Sequence, residues 1–159
     1  MRPPKNKTPR QPASARDSAL RALGRREHSA AQLKQKLEWR GFGEEAVDQV
    51  VEDLVERGWQ SDARYAEVLI RSRVSQGYGR LYIEAELEVA KVPAEEISAA
   101  FAAAEVDWVQ VAADLHARRF GKIPKTIADR QKQYRFMAGR GFTQEQIRAA
   151  LKGALPDED

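Results

Sequence analysis

Few side chains in this 159-residue chain are of types that do covalent chemistry. There is no cysteine, which excludes a thiol nucleophile, a disulfide framework and thiolate-ligated zinc. The only two histidines, His28 and His116, lie far apart in sequence. They read as helix-end or half-buried residues rather than as a catalytic or ligating pair. No His-Glu-x-x-His spacing occurs, so no metal site is expected. The stretch Gly77-Tyr-Gly-Arg80 is glycine-rich, but it lacks the Gly-x-x-x-x-Gly-Lys-Ser/Thr spacing of a phosphate loop and no strand precedes it. It reads as a turn between two helices. No catalytic residue, no cofactor and no enzymatic activity are expected.

The chemistry these residues do offer is electrostatic. Residues 118–140 hold Arg118, Arg119, Lys122, Lys125, Arg130, Lys132, Arg135 and Arg140 against one acid, Asp129, for a net charge of +7. The body outside that segment sums to −9, and residues 44–56 hold six carboxylates and no base. Arg71, Arg73 and Arg80 add cations with no acid between Val68 and Ile83. Arg130 and Tyr134 are four apart and share a helical face beside Arg135. Basic and aromatic groups so interleaved can hold phosphates and stack on bases, or meet an acidic protein surface. The candidate partner- or DNA-binding residues are therefore Arg71, Arg73, Arg80, Arg118, Arg119, Lys122, Lys125, Arg130, Lys132, Tyr134 and Arg135.

Helices must position these groups, because the apolar residues recur at helical spacing. Val47, Val50, Val51 and Leu54 fall at i, i+3, i+4 and i+7. Ile97, Ala100, Phe101 and Ala104 repeat that pattern 50 residues on, and Ile147, Ala150 and Leu151 begin it again after a further 50. Leu37, Leu87 and Met137 obey the same shift, as do Phe42, Val92 and Phe142 in the turns that follow. Gly41 and Gly141 sit where a helix ends with a positive φ. Ser29, Gly79 and Asp129 stand at equivalent helix starts. Ser29 with Gln32, and Thr143 with Gln146, have capping-box spacing. Leu23, Leu69 and Leu115 mark a further set of helices at intervals of 46.

The fold class is therefore all-α. Three tandem three-helix units, 17–57, 58–105 and 106–153, make an elongated helical-repeat array with essentially no strand. Met137 and Phe136 belong to the third core, Phe42 and Phe142 are buried equivalents, and Trp59 and Trp108 fill the gaps between units. Residues 1–16 carry five cations, no acid and four of the seven prolines. They read as a disordered basic arm, and 154–159 as an acidic tail. No apolar run approaches the roughly 20 residues of a membrane helix, and no signal peptide is evident. A soluble cytoplasmic protein without membrane contact is expected.

Four stretches resemble the RecX regulatory proteins of bacteria. They are Leu23-Gly-Arg-Arg-Glu-His-Ser-Ala-Ala-Gln-Leu-Lys-Gln-Lys-Leu37, Gly58-Trp-Gln-Ser-Asp-Ala-Arg-Tyr-Ala-Glu-Val-Leu-Ile-Arg-Ser-Arg-Val-Ser-Gln-Gly-Tyr-Gly-Arg80, Arg119-Phe-Gly121 and Lys132-Gln-Tyr-Arg-Phe-Met-Ala-Gly-Arg-Gly-Phe142. Their order and spacing span residues 17–152. Lys91 departs from the pattern, standing where a glycine usually precedes the apolar residue, and Gly24 interrupts the first helix. The resemblance implies a curved array that binds the RecA recombinase filament, lodges in its groove, and suppresses strand exchange and ATP hydrolysis. It implies no catalytic residue and no cofactor. A monomer is expected. The alternative from the residues alone is a direct DNA-binding protein with helix–turn–helix-like units.

Overall fold

The computed structural model describes residues 13–151. Among them are nine helices and no strand. The first unit holds α1 (Ala15–Arg25), α2 (Ala30–Trp39) and α3 (Glu44–Glu56). The second holds α4 (Asp62–Ser75), α5 (Arg80–Val89) and α6 (Ala94–Ala104), and the third α7 (Trp108–Arg119), α8 (Ile127–Gly139) and α9 (Gln144–Leu151). In the second and third units the first and third helices make the principal pair, whereas in the first α2 packs chiefly on α3; in the third, α8 rests mainly on α9.

Each unit has its own core. Leu33, Leu37, Val47, Val51 and Leu54 form the first, with Ala19 and Ala22 from α1. Ile70, Ile83, Leu87, Ile97 and Phe101 form the second. Leu115, Met137, Phe142, Ile147 and Leu151 form the third. The 50-residue register is visible directly: Val47, Ile97 and Ile147 are all buried, as are Leu37, Leu87 and Met137. Both capping boxes form. Ser29 and Gln32 exchange side chain-to-backbone hydrogen bonds, and so do Thr143 and Gln146.

The units meet at two narrow junctions built alike. The start of one unit's second helix reaches the turn that closes the next unit's second helix. At the first junction Ser29 Oγ donates to the Ala90 carbonyl at 2.7 Å. The Asp62 carboxylate there accepts from Ala30 N–H at 2.9 Å, and Arg64 pairs with Glu27. At the second, Gly79 N–H donates to the Arg140 carbonyl at 2.8 Å and Leu81 N–H to that of Gly141 at 3.1 Å. At this second junction only glycines permit the approach. A Cβ on Gly79 would lie 2.4 Å from the Gly141 oxygen, and one on Gly141 2.4 Å from Tyr82 N.

Several expectations need correction. The body begins before residue 17: Ser14 caps α1, and Arg16 pairs with Asp53. The rest of the expected arm, 1–12, and the tail 154–159 lie outside the described residues. Helix α8 starts a turn earlier than the repeat register implies, capped by Thr126, so Asp129 lies inside its first turn. Phe142 is buried, but Phe42 is only half-buried. No described residue of a preceding unit is set against the turn around Phe42. Phe136 is half-buried as well and serves as a platform at the edge of the core. Trp108 does fill a gap, its ring 6.0 Å from Phe101, whereas Trp59 is 47% exposed between the guanidiniums of Arg16 and Arg57. Lys91 adopts φ +57, the left-handed conformation that Gly41 and Gly141 occupy in the other units. Gly24 does not interrupt α1.

Candidate partner-binding surface

The third unit contains a polar pair where the repeat calls for apolar residues. Gln133 stands 50 residues after the core residue Ile83, and His116 stands 46 after Ile70. Both are buried, and His116 Nε2 donates to Gln133 Oε1 at 2.7 Å. Gln133 Nε2 in turn donates to the Lys122 carbonyl at 3.3 Å. The pair therefore ties the loop between α7 and α8 to the core. That loop carries Lys122 and Lys125 beside Ile123 and Pro124, around a depression of about 570 Å³.

Arg118, Arg119, Lys122, Lys125, Arg130, Lys132 and Arg135 are all exposed. Among the described residues, none of the seven has a carboxylate within 4.0 Å. The seven ion pairs among the described residues all lie in the first and second units or between them. Arg130, Tyr134 and Arg135 line one shallow depression on α8 with Gln131, so the expected sharing of a face holds.

The central arginines behave differently. Arg73 donates from Nε and Nη2 to both Glu86 oxygens, at 2.8 and 2.7 Å. The carboxylate also raises the Arg73 pKa above the ordinary guanidinium value. Arg73 is thus committed to joining α4 to α5. Arg80 lies over the Phe101 ring at 4.7 Å, with Glu84 at 3.9 Å. Arg71 is exposed, with Glu67 at 3.7 Å, and edges an apolar groove of about 740 Å³ floored by Ala99, Ala100 and Ala103.

A stack of rings and guanidiniums crosses the second junction. Arg119 lies 5.1 Å from the Phe136 centroid, and Arg140 lies between Phe136 and Tyr78, at 5.2 and 4.4 Å. Tyr78 stacks on Tyr82 at 4.2 Å. Such contacts contribute about 0.5–1 kcal/mol each when exposed. Tyr78, Tyr82, Phe136 and Arg140 escaped the sequence reading as a group. They come from two units, and only the junction joins them. The signal available was Phe136, an aromatic in a repeat column that holds Lys36 and Glu86 in the other units. The opposite charge lies in the first unit, where Glu44, Glu45, Asp48 and Glu52 line a depression on α3.

No group of three or more His, Asp or Glu side chains among the described residues is placed to hold a metal ion. None of their helices is long and apolar enough to cross a membrane. The fold and this surface define a tandem three-helix repeat protein with a segregated basic–aromatic end.

Three family models match in order: the first three-helix domain of RecX over 15–54, the second over 61–100 and the third over 105–151. The chain belongs to the RecX family. It is 44% identical over 140 residues to a protein of Xanthomonas campestris pv. campestris (strain B100), covering 87% of this chain and 86% of that one. It is 43% identical over 152 residues to one of Stenotrophomonas maltophilia (strain R551-3), covering 95% and 90%. Both are named Regulatory protein RecX. The fold matches the crystal structure of RecX from Lactobacillus salivarius with a TM-score of 0.73 at 17% identity, over 88% of this chain and 94% of that one. A second crystal structure, titled regulatory protein RecX, also gives 0.73, at 19% identity, over 87% and 70%.

Proposed function

We propose that this protein is a non-enzymatic cytoplasmic regulator that binds the RecA recombinase filament and inhibits strand exchange and ATP hydrolysis in recombination and DNA repair. The observation that carries the reading is the set of seven exposed cations at one end of the array, none with a carboxylate within 4.0 Å among the described residues. Packing like charges costs self-repulsion, and a polyanionic or acidic partner offsets that cost. A filament of recombinase on DNA presents both. Family membership supports the choice of partner.

The test adds the protein to preformed filaments and to naked single-stranded DNA, and follows binding and ATP turnover. Arg130→Glu with Arg135→Glu should weaken filament inhibition at least about tenfold, or about 1.4 kcal/mol. Both positions are exposed, so stability should change by less than about 0.5 kcal/mol. A cooperatively melting double variant with wild-type inhibition refutes the assignment of this face.

The second reading, direct DNA binding, is favoured by the stacked Tyr78–Tyr82 pair with Arg140 beside it. A direct binder neutralising about six to eight phosphates loses affinity by orders of magnitude between about 50 and 200 mM salt. A filament regulator prefers filaments to naked DNA throughout that range.

A further inference from the structure

The chain makes the same kind of contact twice inside itself, and at each end one half of it has no partner among the described residues. In the second and third units the turn that closes the second helix is covered except at Lys91, which is exposed. Ala90 is 4% exposed, Val92 5% and Phe142 3%, and Gly141 is buried. In the first unit the equivalent residues Arg40 and Gly41 are exposed and Phe42 is half-buried. Nothing lies within 4 Å of a Cβ built on Gly41, whereas one built on Gly141 strikes Tyr82. Among the described residues the turn is therefore an unfilled socket with the backbone geometry of a filled one, φ +93 at Gly41 against +95 at Gly141.

The complementary half stands at the far end. The third unit's second helix starts at Thr126–Ile127, and no described residue of a further unit follows to receive it. This start carries exposed apolar side chains, Ile127 at 77% and Ile123 at 50%. The two ends also have opposite charge. Lys122, Lys125 and Arg130 surround the helix start, while Glu44, Glu45 and Asp48 follow the socket at the head of α3.

We propose that a second copy of this chain occupies the socket: the α8 start of one molecule docks on the Arg40–Gly41–Phe42 turn of the next. The contact is heterologous, so it propagates head to tail rather than closing into a symmetric pair. Its small contact surface makes it weak, and its charge makes it salt-sensitive. The chain is a monomer when dilute and associates when crowded.

Sedimentation of the full-length protein tests this. The weight-average mass should rise above that of one chain between about 1 and 200 μM, as a dissociation constant near 100 μM requires. The rise should shrink at least several-fold on going from about 50 to 500 mM salt. Two variants locate the contact, Ile127→Glu at the helix start and Glu45→Lys with Asp48→Lys at the socket. Each alone should stay at one chain. Mixed in equal amounts they should form dimers and stop there, because each keeps one working end. A wild-type mass of one chain at every concentration overturns the proposal. So does association that survives in either variant, which would place the contact elsewhere, or a mixture that forms nothing. A thermal melt of each variant matching wild type shows that loss of association is not loss of fold.

Discussion

Gly79→Ala should separate the contribution of the second junction from that of the cores. Gly79 has φ −89, which alanine adopts freely, so the substitution adds no backbone strain. The new Cβ would lie 2.4 Å from the Gly141 oxygen, 2.5 Å from its carbonyl carbon and 2.7 Å from Phe142 N. All three are backbone atoms and cannot swing aside. Relief requires the units to part by about 1 Å, since carbon contacts sit at about 3.5 Å. That movement breaks the bonds from Gly79 N–H to Arg140 and from Leu81 N–H to Gly141. Each contributes about 1 kcal/mol, and more when its donor is left buried and unpaired. The expected cost is about 2–3 kcal/mol. Gly43→Ala is the matched control. Gly43 is also an N-cap without a side-chain bond, at φ −67, with nothing within 4 Å of a built Cβ. It should cost less than about 1 kcal/mol. Urea denaturation followed by circular dichroism reads both. Equal midpoints for the two variants refute the claim that the junction contributes to stability.

Truncating Phe142 to alanine should cost about 3–5 kcal/mol and Phe42→Ala about half that, read as a difference in denaturation midpoint, because only Phe142 is fully enclosed. Burial lowers the His28 pKa below 6.5, reinforced by nearby Arg26 and Lys36 and opposed by the Arg26 carbonyl and by Glu27. The unfolded chain then binds the proton more readily, so stability is full above about pH 6.5 and declines as pH falls toward the lower folded value. His28→Gln should flatten that part of the stability profile. The loss from Asp53, whose pKa is lowered by Arg16 and Arg57, appears separately, below 3.8. Lys91→Gly should raise the melting temperature slightly: relief of left-handed strain, about 1–2 kcal/mol, exceeds the added unfolded-state entropy of about 0.4–1 kcal/mol.

The three-unit architecture was legible because each unit repeats one apolar register, and Val47, Ile97 and Ile147 report it without help from tertiary contacts. The same rule misplaced the start of α8. A register fixes which face is buried, not where a cap falls, and Thr126 caps a turn earlier than Asp129. The density of charge at 118–135 was equally plain, since it is a property of composition. The fate of Arg73 was not. Its partner Glu86 lies on another helix, and ion-pair geometry depends on how α4 crosses α5. The ring stack was hidden for the same reason, as Tyr78 and Phe136 belong to different units. The His116–Gln133 pair could have been found: two polar residues in two apolar columns of one repeat are a joint exception that asks for a hydrogen bond.

Three separate cores joined by narrow seams give this molecule an unusual compliance. Bending at a seam strains a few hydrogen bonds, an ion pair at the first and the Trp108–Phe101 and Arg140–Tyr78 contacts at the second, about 1 kcal/mol each, while the centre of each apolar core stays shut. A single-core domain of the same length has no such inexpensive mode, because any bend opens packed interior. The array can therefore follow a surface whose pitch changes beneath it, one unit at a time. Its bending stiffness resides in Ser29, Asp62, Gly79 and Gly141 rather than in its leucines.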